Sequence, residues 1–166
     1  MMLTLDDVLE RWIPYRLQAI KTLRFAWDWL GESDEPRAVQ VLVEGKPVLQ
    51  CNVAAIANPM LEAGIVHARS LLTFLGLEVR NGRLGQVHRR FPGDIGIEHY
   101  STAGQRLTMV SPDQVYAAYD GPREQAEHAI VAIFEFANKL TARACAEFCV
   151  NGIRFTAEAC GPRTGW

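Results

Sequence analysis

Hydrophobic residues recur at three- and four-residue spacing in three long stretches of this chain, and that spacing predicts three main helices. The first stretch covers residues 4–30, and the second covers residues 58–76. The third begins near residue 120 and extends to about Phe148. The second stretch has the clearest apolar stripe, which consists of Leu61, Ile65, Ala68, Leu72 and Leu75.

Residues that favour helix starts and breaks lie at the expected places. Thr4 and Asp7 form a capping-box-like start to the first helix. Pro14 lies inside that helix and is expected to kink or divide it, because proline removes a backbone donor and clashes with the preceding turn. Asn58 is the expected N-cap of the second helix, and Pro59 suits its first turn.

The regions between the helices have a different pattern. Residues 37–53 contain β-prone runs on both sides of Glu44-Gly45-Lys46, which predicts a β-hairpin. Residues 77–111 show no sustained periodicity and contain several glycines. We expect a long loop there, with short strands such as Leu84–His88 and Arg106–Val110.

These elements predict a mainly α protein that forms a single domain over residues 1–166. The expected architecture is a helical bundle with a β-hairpin near residues 38–50 and a long central loop (77–111). A short helix is expected after Ser111, and a further strand around residues 153–156.

Composition narrows the class of protein. The hydrophobic content of 49% is sufficient for a core, and the formal charge of −2 gives no general reason to expect nucleic-acid or membrane binding. No export leader or membrane span is recognisable, so we expect a cytoplasmic protein with reduced cysteines. The 17 cations comprise 14 Arg and 3 Lys, and Arg suits contacts to carboxylates and phosphates.

The segment from Glu62 to Leu75 contains the pattern E-x4-H-A-R-x-L-x-x-F-L. It resembles a central helix of small bacterial helical proteins of unknown activity, in which a variable loop and a last helix follow. Residues 126–143 would be that last helix here. The resemblance covers about half of the chain and implies a helical fold, but no chemistry.

Three polar residues, Glu62, His67 and Arg69, interrupt the apolar second helix. Polar groups beside a core need partners or a function. One hypothesis is that these residues bind a small anion between helices, with Arg69 as the main contact. The alternative is structural, with Arg69 joined to a carboxylate such as Glu62 or Glu135, and with Arg143 as a further structural tie.

Arg123 and His128 lie near the start of the third helix, in the sequence REQAEH. Arginine followed after four residues by histidine resembles the motif of HEPN ribonucleases, which are helical bundles that usually act as dimers. The resemblance implies that Arg123 stabilises a scissile phosphate and that His128 transfers protons without a metal. The alternative is an exposed first turn with solvated charges.

Residues 80–90 are locally basic and lie in the glycine-rich region. This composition is compatible with binding of phosphate or single-stranded RNA, and the alternative is a solvated loop. The candidate RNA-binding residues are Arg80, Arg83, His88, Arg89 and Arg90.

The leading hypothesis is a small cytoplasmic interaction or regulatory module that forms homo-oligomers. The alternatives are a HEPN-like endoribonuclease and a protein that binds a small anionic ligand. We expect RNA or another protein as the partner, no membrane association, no cofactor and no metal site. The spacing of Cys145, Cys149 and Cys160 is not a zinc signature.

Overall fold

The computed structural model describes residues 4–31 and 37–141, together with the backbone of two strands at 148–150 and 153–155. Four helices dominate it, so the predicted mainly α class is confirmed. Helix α1 consists of Leu5–Asp7, a wider π-helical turn at Val8–Trp12, and Ile13–Leu30. The others are α2 (Val53–Phe74), α3 (Pro112–Ala117) and α4 (Arg123–Thr141).

Helix α1 passes Pro14 without stopping. The N–H of Ile13 donates to the carbonyl of Val8, five residues back, so the turn just before the proline is wider than an α-helical turn. A wide turn leaves room for a proline ring that a regular turn would press against the backbone. The disturbance expected at Pro14 therefore takes the form of a π-helical turn.

Helix α2 begins six residues earlier than predicted, at Val53. Its N-cap is Asn52, whose side chain accepts a hydrogen bond from the N–H of Ala54 at 3.0 Å. The predicted N-cap, Asn58, and the following Pro59 lie inside the helix instead. The physical reason is that strand and helix are continuous here, and the early residues Val53 and Ala57 are buried.

Helices α1 and α2 pack antiparallel and form the centre of the fold. Ala26 and Ala57 have no exposed surface and form a cluster with Leu61. The closest approach is at Gly64, where an added Cβ would lie 2.3 Å from the Cβ of Leu23 and 3.1 Å from the carbonyl of Ala19. Small residues thus let the two helices approach closely.

Two long hairpins and one short one connect the helices, and each turn has the same form. Strands β1 (Ala38–Val43) and β2 (Lys46–Asn52) confirm the hairpin predicted between α1 and α2. Its two turn residues, Glu44 and Gly45, both have positive φ, at 51° and 76°. That geometry is the type I′ turn, whose twist matches that of paired strands.

The region predicted as a long loop contains ordered elements. It holds two antiparallel pairs and a short 3₁₀ turn. The strand expected at Leu84–His88 is present, slightly shifted, whereas of the strand expected at Arg106–Val110 only Arg106 lies in a strand. Asn-Gly and Ala-Gly turns close the two pairs, which comprise β3 (Leu77–Arg80), β4 (Arg83–Gln86), β5 (Ser101–Thr102) and β6 (Gln105–Arg106).

Helix α4 contacts both α2 and the β3–β4 hairpin. The Glu127 carboxylate accepts a hydrogen bond from the backbone N–H of Leu84 at 3.2 Å. The buried face of α4 comprises Ala126, Val131, Phe134 and Ala137. The helix was predicted to reach about Phe148. It is described as far as Thr141, residues 142–147 lie outside the described part of the chain, and Phe148 itself is not helical, because Phe148–Val150 forms strand β7, which pairs with β8 at Ile153–Phe155. Strand β8 lies where a late strand was expected.

The close contact at Gly64 generates a stability prediction. We expect Gly64→Ala to lower the free energy of unfolding by about 1–2 kcal/mol, because the clash outweighs the better helix propensity of alanine. Gly85→Ala is the matched control, since nothing lies within 4 Å of its added Cβ. Urea denaturation measures the free energy of unfolding of both variants and of the wild type. A Gly64→Ala protein as stable as the wild type would contradict the close packing.

Candidate functional site

A cleft of about 510 Å³ lies where α1, α2 and the segment after β4 meet. Each helix contributes one face to it. From α1 come residues at four-residue intervals: Val8, Trp12 and Arg16. From α2 come residues at three- and four-residue spacing: Val66, Arg69, Ser70, Thr73 and Phe74. These two walls therefore combine apolar side chains with the hydroxyls of Ser70 and Thr73, and each helix contributes one cationic side chain.

Arg90 anchors the third wall of the cleft. Its guanidinium forms a forked ion pair with Glu98, at 2.8 Å and 3.2 Å. It also donates to the carbonyl of Thr73 at 2.7 Å, at the C-terminal end of α2. The Arg90 side chain is only 12% exposed. A cation at this position stabilises the C-terminal end of α2 and fixes the position of the segment that follows Arg90 in the chain.

The segment next to Arg90 turns sharply and forms the rim of the cleft. The Asp94 carboxylate accepts a hydrogen bond from the N–H of Phe91, and the N–H of Asp94 donates to the carbonyl of Phe91, each at 3.0 Å. Gly93 has a φ of +93°, which favours glycine. Gly93, Asp94 and Ile95 therefore face the cleft from a locally hydrogen-bonded turn.

Arg16 is held by two neighbours. Its Nη1 lies 2.7 Å from Nδ1 of His67, and its guanidinium lies over the ring of Trp12 at 4.6 Å. Its Nε is buried and has no hydrogen-bond partner among the described residues. A buried donor without a partner is uncommon in folded proteins.

His67 lies behind Arg16 and acts as its acceptor. Arginine has only donors, so Nδ1 of His67 must accept, and the neutral ring carries its proton on Nε2. The ring of Tyr15 meets that of His67 edge to face at 5.1 Å. Burial, and in second place the charge of Arg16, lower the pKa of His67 from its ordinary value of 6.5. The surroundings therefore favour the neutral form that Arg16 needs.

The cationic side chains of the cleft differ in their partners. Arg90 is neutralised by Glu98, whereas neither Arg16 nor Arg69 forms an ion pair with any carboxylate in the described part of the chain. Asp94 is the acid on the rim. With Arg90 and Glu98 cancelling each other, Arg16 and Arg69 exceed Asp94 by one positive charge. The cleft thus favours an anion.

The three polar residues singled out in the second helix are separated by the structure. Arg69 lines the cleft, His67 supports Arg16 from behind, and Glu62 is exposed on the surface. The partner suggested for Arg69, Glu62 or Glu135, does not form an ion pair with it. Arg143 and the thiols of Cys145, Cys149 and Cys160 lie outside the residues whose side chains are described.

The sequence interpretation missed Arg16. A signal for it exists, since Val8, Trp12 and Arg16 repeat every four residues and Arg16 is the polar member of that stripe. On α2, Val66, Arg69 and Thr73 likewise repeat at three- and four-residue spacing, and they lie on a different face of the helix from the apolar stripe. Two short stripes on separate helices become one site only through packing.

The HEPN-type pair lies outside the cleft. Arg123 forms an ion pair with Asp113 at 3.3 Å and lies over the ring of Tyr116 at 4.2 Å. His128 is exposed further along α4. The two side chains make no recorded contact with each other in the described chain. Ribonuclease activity by this pair stays a prediction.

The candidate RNA-binding residues have different environments. Arg80 and Arg83 oppose each other at the tip of the β3–β4 hairpin, and Arg80 pairs with Glu78 at 2.7 Å. His88 and Arg89 are exposed. Arg90, by contrast, is engaged by Glu98 and the end of α2, so its contacts are structural. RNA binding by the basic segment stays a prediction.

Comparisons with known proteins do not assign the cleft. Scans of protein-family models, curated proteins and solved structures found no match to this chain. No cluster of metal-binding side chains occurs within the described residues. Among those same residues, no helix has the length and apolar character needed to cross a membrane. Any function assigned to the cleft must therefore rest on its geometry.

The lowered pKa of His67 predicts how stability depends on pH. Unfolding returns the ring to its ordinary pKa of 6.5, so the unfolded chain binds the proton more tightly than the folded one. We expect the free energy of unfolding to be highest above pH 6.5 and to fall as the pH drops towards the lowered pKa of His67. One proton limits the slope to about 1.4 kcal/mol per pH unit.

Urea denaturation between pH 8 and pH 5.5 measures this dependence. His67→Gln, which keeps an acceptor for Arg16, should flatten the curve. The exposed His88→Gln is the control and should leave the curve unchanged. Identical curves for the wild type and His67→Gln would show that His67 is not the group responsible.

Proposed function

We propose that this protein binds a small organic anion with an apolar body in the cleft between α1 and α2. The observation that carries the proposal is that two arginines, Arg16 and Arg69, line a cleft with both apolar and polar walls, and that neither has a carboxylate partner among the described residues. Binding such a ligand would neutralise the excess charge and cover apolar surface in one step. This was the third of the hypotheses from sequence, and the cleft favours it over the first two.

The size and composition of the cleft support the proposal. Small-molecule sites commonly measure about 300–1,000 Å³ and combine apolar walls with a few placed polar groups. The apolar walls here are Val8, Trp12, Val66, Phe74 and Ile95, and the polar groups include Ser70 and Thr73. Arginine is well suited to bind carboxylate or phosphate oxygens through paired donors. A ligand that is charged at one end and apolar at the other fits both features.

The proposal can be tested with two amphipathic probes, octanoate and octyl phosphate, in isothermal titration calorimetry at pH 7.5. We expect at least one of them to bind with 1:1 stoichiometry. Octanol, which has the same apolar chain and no charge, should bind more weakly. Arg69→Gln should weaken binding of the anion about tenfold or more, because a hydrogen bond to a charged group is lost.

Arg24→Gln is the matched control for this titration. Arg24 lies on α1 like Arg16, but its side chain is 87% exposed and lies 3.9 Å from the Asp28 carboxylate. This variant should bind as the wild type does. If neither anion binds, or if Arg69→Gln and Arg24→Gln bind equally well, the cleft is not the proposed anion site.

A second function, as a protein-interaction module that forms homo-oligomers, is favoured by the β1–β2 hairpin. Leu42, Val43, Val48 and Leu49 are between 48% and 60% exposed. A two-stranded hairpin is marginally stable in water by itself, and an added strand or an apolar partner would stabilise it. The helical bundle and the cytoplasmic location predicted from the sequence are parts of this second proposal.

Sedimentation equilibrium at micromolar concentrations tests self-association. We expect the wild type to sediment as a dimer or larger species, and Val43→Lys with Val48→Lys to shift it towards monomer. A wild type that remains monomeric over the whole concentration range would contradict the homo-oligomer.

A further inference from the structure

We propose that two copies of this protein associate through strand β1, which pairs antiparallel with β1 of the second copy about a twofold axis at Gln40. This inference rests on the homo-oligomer of the second proposal above. It goes further by naming the strand that makes the contact, the strand that receives it and the register between them. The two hairpins then form one four-stranded sheet.

The outer edge of β1 is open in the described part of the chain, where β1 pairs with β2 alone. The carbonyl of Arg37, just before β1, faces β2, since it accepts a hydrogen bond from the N–H of Val53 at 2.8 Å. Backbone groups of successive residues point to opposite edges of an antiparallel strand. The N–H and C=O groups of Ala38, Gln40 and Leu42 therefore point to the open edge.

The outer edge of β2 is less suited to pairing. Pro47 has no N–H, Lys46 beside it is charged, and Val48 is an extra residue that the register leaves without a partner on β1. Proline, lysine and bulges on an edge strand discourage pairing with another chain. Strand β1 has none of these features, because its sequence is AVQVLV. The hairpin thus has one blunted edge and one edge that can add a strand.

A second copy of β1 suits the open edge because the strand is self-complementary. With the axis at Gln40, Ala38 of one copy lies opposite Leu42 of the other, and Gln40 lies opposite itself. All three outward-pointing residues of each strand then form hydrogen bonds. An axis at Val39 or Val41 would pair only two of the three within the strand. The register at Gln40 therefore satisfies the most backbone groups.

The charges that flank β1 favour the antiparallel direction. Arg37 immediately precedes the strand and Glu44 immediately follows it. Antiparallel pairing brings the Arg37 end of each copy next to the Glu44 end of the other, whereas parallel pairing would bring like charges together. The strand between them carries no charge, so the two copies meet without repulsion along its length.

The pairing also joins the apolar faces of the two hairpins. Val39, Val41 and Val43 lie on one face of β1, and Leu49 and Cys51 lie opposite Val41 and Val39 on β2. Val43 is 55% exposed and Leu49 is 48% exposed. In the proposed register Val39 of one copy meets Val41 of the other at the close spacing of a non-hydrogen-bonded pair. Such cross-strand pairs stabilise a sheet, and four strands are more stable than an isolated pair.

The first experiment compares Gln40→Pro with Gln50→Pro by sedimentation equilibrium, after circular dichroism has shown that both variants are folded. Gln40 and Gln50 are paired across the hairpin, and each proline removes one outward-pointing N–H, from β1 or from β2. We expect Gln40→Pro to weaken association about tenfold or more, because each copy loses a hydrogen bond at the axis. Gln50→Pro is the matched control and should associate as the wild type does.

Two outcomes of this comparison separate the inference from the proposal on which it rests. Equal association of the two folded variants, or weaker association of Gln50→Pro, would overturn pairing through β1 and leave the homo-oligomer intact. A wild type that stays monomeric over the whole concentration range would overturn both. A single strand pair is small for a protein interface, so the range extends well above micromolar concentrations.

The second experiment measures amide hydrogen exchange of the wild type by NMR and needs no substitution. Raising the protein concentration should slow exchange of the N–H groups of Ala38, Gln40 and Leu42 and leave that of Gln50 unchanged. Protection of only two of the three would overturn the register at Gln40. Protection of Gln50 instead, or no added protection in β1 of the associated protein, would overturn the inference even if the proline variants failed to fold.

Discussion

The close packing of α1 against α2 is the constraint on which the rest of the structure depends. Gly64 on α2 lies against Ala19 and Leu23 on α1, and together with the buried Ala26 and Ala57 it lets the two backbones approach closely. A larger residue at this position would push the helices apart along their whole length, since packed interiors transmit displacement. The distance between Arg16 and His67, which lie next to this contact, is set by the same approach.

The cleft forms because the facing side chains of α1 and α2 change in size and charge along the helix pair. At the Ala26–Ala57 end the facing residues are small and the helices are in contact. From Arg16 towards Val8 the facing residues become larger or charged, and the segment anchored by Arg90 fills only part of the space. Arginines also donate to the last carbonyls of α1 and α2, Arg37 to those of α1 and Arg90 to those of α2.

The sequence predicts the elements of this fold better than its site. The apolar stripes, the Glu44-Gly45 turn and the Ser111 cap are local signals, and the structure contains the corresponding elements. The start of α2 was missed because Asn58-Pro59 is a good cap in isolation, while the competing cap at Asn52 depends on the hairpin that precedes it. Arg69 stood out as a polar residue in an apolar helix. Arg16 did not, because its importance comes from His67, which is 51 residues away.

The π-helical turn at Val8–Trp12 determines which way the first wall of the cleft faces. In a regular α-helix, residues four apart drift by about 40° around the axis, so a stripe at every fourth position soon winds away from its partner. A π turn takes more residues per revolution and drifts the other way. The drift between Val8 and Trp12 therefore offsets that between Trp12 and Arg16, and the three side chains stay in line. The wide turn thus has the geometry of a one-residue insertion, and it aligns the three α1 side chains that line the cleft.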